Sequence, residues 1–177
     1  MTTPTELPEE IERARSKLLR LLASIAPAQM ETPIGEGRWS PTQYLEHLVR
    51  AEEVTLWRMF KAIDDSRRRG DVLTSPTPGA TIEEVVERTW GERVEAPPLA
   101  VPRLGEPGSY WMARMERNAA LVKAFADLVS GDELDALSYP HPISGPFTLR
   151  QGLQFVRFHI DRHRLHLEEA GLEMAAS

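Results

Sequence analysis

Apolar residues recur along this chain at intervals of three and four, the spacing that lines one face of an α-helix, and the pattern predicts four long helices. The first begins near Pro8 and sets Ile11, Leu18, Leu22 and Ile25 on one stripe before Pro27 ends it. The second opens at Ser40-Pro41-Thr42-Gln43: an N-cap serine, a proline in the first turn, and a glutamine placed for the reciprocal capping bond. It continues through Leu45, Leu48, Leu56, Met59, Phe60 and Ile63. Arg67, Arg68 and Arg69 suit the negative end of a helix and read as a solvated terminus, with Gly70 suited to a left-handed cap. The third runs from about Ser109 to Ser130 through Met115, Val122, Phe125 and Val129, with Gly131 as its stop. The fourth starts at Thr148, where Gln151 completes a second capping box, and carries Leu149, Leu153, Val156, Ile160, Leu167 and Ala170 before Gly171.

No alternation of period two stands out, so a sheet is not expected. The stretch from about Asp71 to Pro107 is rich in proline and glycine and holds one short capped helix, from Thr81 to Trp90. A connection this long inside a domain crosses the molecule or covers a site, and the two are compatible. The crossover is favoured, because helix bundles with one long link are a known topology. The expectation is therefore an all-α four-helix bundle forming one domain over residues 1–177.

Composition narrows the function classes. With 21 basic and 27 acidic residues the net charge is −6, the wrong sign for a protein that tracks phosphates, so no nucleic-acid partner is expected. The absence of cysteine removes disulfides, thiolate metal sites and a cysteine nucleophile, leaving imidazole and oxygen as the available metal ligands. The apolar runs are too short for a membrane span, and the opening MTTPTELPEEIERAR has neither the basic nor the apolar region of a secretory signal. These features point to a cytoplasmic protein. A homodimer is also expected, since bundle faces with leftover apolar surface commonly pair.

Histidine carries the chemistry. Of His47, His141, His159, His163 and His166, the last three fall within eight residues of the fourth helix. His159 and His163 are four apart, so their Cβ atoms lie on one face about 5–6 Å apart, close enough for two imidazoles to share a metal. His163 also falls on the apolar stripe, between Ile160 and Leu167, and should point inward. The alternative is a pair of packed histidines with satisfied nitrogens. A zincin-type protease is excluded, because Ile160 stands where the catalytic glutamate would follow His159. His47, near Tyr44 and Ala51 in the second helix, lies on a face that could meet the fourth. Three neutral histidines would leave coordination positions open, as catalytic metal sites do.

The segment Trp39-Ser40-Pro41-Thr42-Gln43-Tyr44-Leu45-Glu46-His47-Leu48, then His141-Pro142, Gly145-Pro146-Phe147-Thr148-Leu149, and finally His159, Arg162 and His163, resembles the DinB-like superfamily, including its YfiT-type metal-dependent hydrolases. The resemblance implies an up-down-down-up bundle with its long crossover between the second and third helices. It also implies a divalent metal, commonly nickel or zinc, held by His47, His159 and His163. Many relatives carry glutamine where this chain has His166, which leaves a fourth ligand, a hydrogen-bonding support or an exposed residue open there. His141 reads as a turn residue before the fourth helix more readily than as a substrate contact. Arg162 either orients an anionic substrate or pairs with an acidic neighbour. The four tryptophans, Trp39, Trp57, Trp90 and Trp111, read as core or interface anchors.

A metal in such a site lowers the pKa of bound water to about 7 and equally deprotonates a thiol. The resemblance permits both outcomes, since the superfamily includes hydrolases, thiol-dependent transferases and an isomerase. Glu46 and Glu52 are candidates for a proton acceptor or for a support to His47, though neither helical angle compels it. The leading expectation is a metal-dependent hydrolase or low-molecular-weight thiol transferase acting on a small molecule. The alternative is a non-catalytic bundle that binds a ligand or partner.

Overall fold

A computed structural model describes residues 6–90 and 95–172. The elements follow the order α1 (Glu6–Ser24), α2 (Pro27–Met30), α3 (Pro41–Arg69), α4 (Ile82–Thr89), α5 (Gly108–Leu128), α6 (Gly131–Ala136), β1 (Ser138–His141), β2 (Gly145–Thr148) and α7 (Leu149–Glu169). The four long helices are the expected ones, and their ends are set by the chemistry the sequence displays. Ser40 accepts from the Gln43 N–H at 3.2 Å while the Gln43 side chain accepts from the Ser40 N–H at 2.9 Å. Thr148 and Gln151 repeat the exchange at the start of α7, at 3.1 and 2.9 Å. Gly70 caps α3 at φ +70°, a backbone conformation that an L side chain rarely adopts.

Cross-helix pairs fix the topology. Along α3 and α5, Thr42 lies beside Gly108, Glu53 meets Arg114 and Arg67 reaches the Leu128 carbonyl, so the two helices run in the same direction. Between α3 and α7, His47 meets His159 while Met59 lies beside Gly152, so these run oppositely. The bundle is up-down-down-up. Parallel α3 and α5 force the intervening chain to travel back along the bundle, about 43 Å for the 29 residues of α3. That distance is the physical reason for the long proline-rich crossover.

The core is continuous across all four helices, from Leu7, Ile11, Leu18 and Leu22 through Leu48, Leu56 and Met59 to Trp111, Phe125, Leu153 and Ile160. An ion pair sits inside it: Arg15, 1% exposed on the inner face of α1, pairs with buried Glu52, which also accepts from Asn118 at 3.2 Å. Among the described residues no helix is long and apolar enough to cross a membrane.

Three expectations are corrected. A small sheet does exist: β1 and β2 pair antiparallel, Ser138 with Thr148 and His141 with Gly145, and the hairpin delivers the chain into α7. Gly131 does not end the third helix. It begins α6, whose N-cap Ser130 exchanges bonds with Glu133. The arginine run is only partly a solvated end, because Arg67 bonds both Glu133 oxygens and the Leu128 carbonyl, tying α3 to α5 and α6. The tryptophans also divide: Trp111 is core, Trp57 is 63% exposed, and Trp39 and Trp90 line the cavity described next.

Candidate metal centre

α3 and α7 run antiparallel and in contact, which brings His47 opposite the His159/His163 turn. The Nε2 atoms of His47 and His159 are 3.1 Å apart, and those of His159 and His163 are 3.0 Å apart. The three form the group of convergent donors in the described residues that can hold a metal ion. His47 and His159 are buried and His163 is half-buried.

The tautomer of His47 follows from its neighbour. A carbonyl only accepts, so the Ala100 oxygen, 2.9 Å from His47 Nδ1, places the ring proton on Nδ1 and leaves Nε2 a lone pair. Ala100 belongs to the crossover, which is held against α3 by Glu46. One oxygen of that buried carboxylate accepts from the N–H groups of Arg103 and Leu104 at 2.7 and 3.0 Å, and from Arg50 at 3.1 Å. Arg50 in turn donates to the Val101 carbonyl at 2.6 Å. Glu46 therefore acts on the loop behind His47, while Glu52 is engaged by Arg15 of α1 and Asn118 of α5. Neither carboxylate hydrogen-bonds a histidine.

Burial depresses the basicity of all three rings. His47 is lowered by desolvation and, to a lesser degree, by Arg50, against the opposing effect of the Ala100 bond. His159 is held well below the ordinary imidazole value by desolvation, then by His163, His47 and His141, and His163 by desolvation, then by His47 and His166, with the Arg162 charge adding to both. The rings are thus neutral at pH 7, the state a metal requires.

This arrangement fits a divalent cation on its own evidence. His159 Nε2 touches two other Nε2 atoms, and a single ring proton bridges only one of those contacts. Three neutral rings facing inward so leave at least one lone pair against another, which a shared cation resolves. With metal–nitrogen bonds of about 2.0–2.1 Å, donors at this separation fit one ion. His163 Nδ1 is buried with no hydrogen-bond partner among the described residues.

The histidines lie on the wall of a cavity of about 700 Å³. Aromatic and aliphatic groups dominate the described lining, with Trp39, Tyr44, Trp90, Leu99, Ile143 and Phe155 among them. His166 also lines it, 5.4 Å ring to ring from His163, but stands outside the convergent trio. His141 is more than a turn residue: it ends β1, stacks on Phe147 at 4.3 Å, accepts from the Ser144 N–H, and lines the cavity. Burial and the Arg58 charge push its pKa down to about 4. Among the described residues Arg162 has no carboxylate partner. It lies over Trp90 at 5.3 Å, and the acidic neighbours Asp161 and Glu168 are taken by Arg157 and Arg164. Sequence reasoning missed the contribution of Ala100, because a backbone carbonyl leaves no mark in residue type. It also missed Arg58, whose role is set by a strand that was not foreseen.

The sequence pattern of the DinB superfamily matches residues 10–167. No curated protein matches by sequence. Among solved structures, YfiT from Bacillus subtilis, described as a probable metal-dependent hydrolase with an unusual four-helix bundle topology, superposes with a TM-score of 0.64 at 16% identity, covering 94% of this chain and 85% of its own. TT2238, a four-helix bundle protein, gives 0.62 at 18% identity over 94% and 99%. The colibactin self-resistance protein ClbS, in complex with a dsDNA, gives 0.59 at 19% over 96% and 95%. At these identities the superpositions speak to the fold alone. The match to the family pattern, spanning the bundle from α1 to the end of the α7 core, makes this chain a member of the DinB superfamily.

Proposed function

We propose that the protein is a metal-dependent enzyme that acts on a small molecule, as a hydrolase or a thiol transferase, with His47, His159 and His163 holding one divalent ion. The observation that carries this reading is the convergence of three Nε2 atoms on the wall of a large cavity, with one ring's tautomer locked by Ala100. Three neutral nitrogen donors suit nickel or zinc. A bound ion of this kind supplies Lewis acidity, lowering the pKa of water or of a thiol.

The chain's own residues do the rest. The Ala100 carbonyl keeps the His47 proton away from the centre. Burial keeps the three rings unprotonated, and the apolar lining excludes bulk water around whatever enters. YfiT's description as a probable metal-dependent hydrolase supports the hydrolytic branch. A small-molecule substrate is preferred to nucleic acid because the chain carries a net charge of −6, although ClbS is described with bound dsDNA.

A second reading, a bundle that binds a ligand without turning it over, is favoured by one observation. The carboxylate among the described lining residues is Glu95, which is exposed, so no buried acid in the cavity is placed to shuttle protons. Metal analysis of protein purified without an affinity tag, before and after reloading with zinc or nickel, tests the primary reading. One ion per chain is expected in the parent and none in His163→Ala. A parent protein that retains no stoichiometric metal after reloading refutes it. A loaded protein inert toward a panel of esters, amides and thiol acceptors leaves the second reading in its place.

A further inference from the structure

The charge inside the cavity is opposite to that of the whole protein. Its charged described lining consists of Arg38, Arg58, Arg162 and Glu95, so three guanidiniums face one exposed carboxylate in a molecule of net charge −6. Among the described residues none of the three arginines forms an ion pair, although the acidic residues outnumber the basic ones and most other arginines have found partners. Arg58 and Arg162 are half-buried; Arg38 is exposed. Arg58 spends one nitrogen on the Pro140 carbonyl at 3.1 Å, and the Arg162 guanidinium carbon lies 5.3 Å from the Trp90 ring centre, so each retains N–H groups with no partner among the described residues. Their fields reach the site from several sides: Arg58 is felt by His141, Arg162 by His159, His163 and His166, and Arg38 by Tyr44 and His166.

Unpaired guanidiniums in a partly enclosed, largely apolar cleft cost solvation without return in the free protein. They gain most from an oxyanion, whose two oxygens match the guanidinium fork, and the low-dielectric walls concentrate their field there. The same walls, Trp39, Trp90, Leu99, Ile143 and Phe155, suit a hydrocarbon or aromatic body. We propose that the ligand of this cavity is an amphipathic small anion: an oxyanion head, carboxylate or phosphate, bound by Arg58 and Arg162, and an apolar body lying along the aromatic wall. The inference rests on the cavity being the substrate site of the preceding section and names the class of substrate it takes. It does not depend on the metal being present.

Calorimetric titration of chelator-treated protein with 3-phenylpropionate, 2-phenylethyl phosphate and the neutral 3-phenylpropionamide separates the possibilities. At least one of the two anions binds tenfold or more tightly than the amide to the parent protein, and the anion that does so identifies the head group. The preference falls below threefold in Arg58→Gln/Arg162→Gln and is retained in Arg58→Lys/Arg162→Lys, which keeps the charge and controls for folding. Equal binding of all three probes to the parent, or an anion preference that survives in the double glutamine variant, overturns the proposal. Zinc stoichiometry measured on the same preparations reports on the metal centre separately: a protein that takes up zinc and shows no anion preference refutes this inference alone, and one that prefers anions without holding zinc refutes the metal reading alone.

Discussion

Glu46 hydrogen-bonds no histidine, yet its removal should weaken metal binding. Its buried Oε1 accepts from two backbone N–H groups of the crossover, and from Arg50, which also holds the Val101 carbonyl. Hydrogen bonds to a charged group contribute about 1.5–3 kcal/mol each, but three donors sharing one oxygen do not add independently, so the attachment as a whole is worth about 3 kcal/mol. Replacing the carboxylate by an amide in Glu46→Gln keeps the shape, removes the charge, and sets an NH₂ group in competition with the N–H donors. The strap then opens more often, and with it goes the Ala100 carbonyl that fixes the His47 proton on Nδ1. Loss of such an orienting partner typically lowers metal affinity 10–100-fold, about 1.4–2.7 kcal/mol. Competition for zinc against a chromogenic chelator at pH 7.5 measures the affinity, and hydrogen exchange at Arg103 and Leu104 measures the opening. Both should change together. If those amides lose protection while zinc affinity stays within twofold of the parent, the Ala100 carbonyl is not what prepares His47, and the reasoning fails.

Two further predictions concern groups buried around the site. Glu52→Leu strands the Arg15 guanidinium, which keeps only half-exposed Glu12 at 2.8 Å, so stability to urea should fall by about 3 kcal/mol. Arg15→Met/Glu52→Leu should recover to within about 1 kcal/mol of the parent, and a double variant as unstable as the single would show that the pair itself, rather than the orphaned charge, holds the core. His141 supplies the pH prediction. With its pKa depressed to about 4 from the ordinary 6.5, the unfolded chain binds its proton first, so its contribution to stability is complete above about pH 6.5 and is lost as pH falls toward 4. Between pH 7 and pH 5 the chelator-treated parent should lose about 2 kcal/mol more than His141→Phe in urea unfolding, a difference in which the effects of the other histidines cancel. Equal losses in the two proteins would place His141 in solvent.

What could be read from the sequence divides along a physical line. Interactions closed within one helical turn were legible: the Ser40/Gln43 and Thr148/Gln151 exchanges need residues three apart, and the His159/His163 pair needs residues four apart. His47 was legible because its helical face placed it, although its partner His159 lies 112 residues away. The hairpin was not, since strands of four residues give Tyr139, His141 and Phe147 too little length to register an alternation, and Pro140 and Pro146 mask what there is. α6 was hidden by Gly131, a residue equally at home after one helix and at the start of another. Nor could Ala100 or the Arg15–Glu52 pair be foreseen, one being a main-chain atom and the other a contact between helices.

That division bears on how the site is built. The three candidate ligand rings come from α3 and α7, rigid elements whose positions follow from caps and apolar stripes, so their placement follows from the bundle core, while the crossover's Ala100 carbonyl sets the His47 proton. The groups around the rings come from elsewhere: Ala100 and Leu99 from the crossover, His141 and Ile143 from the hairpin, Trp90 from the end of α4. These segments are short or irregular and are pinned by a few specific bonds, such as Glu46 to Arg103 and Trp90 to Ser144 at 2.9 Å. Substitution there reshapes the cavity without disturbing the core, whereas substitution at Leu48, Val156 or Ile160 moves the rings themselves. On the proposed reading, the bundle would fix the metal chemistry, and the crossover and hairpin would select the molecule presented to it.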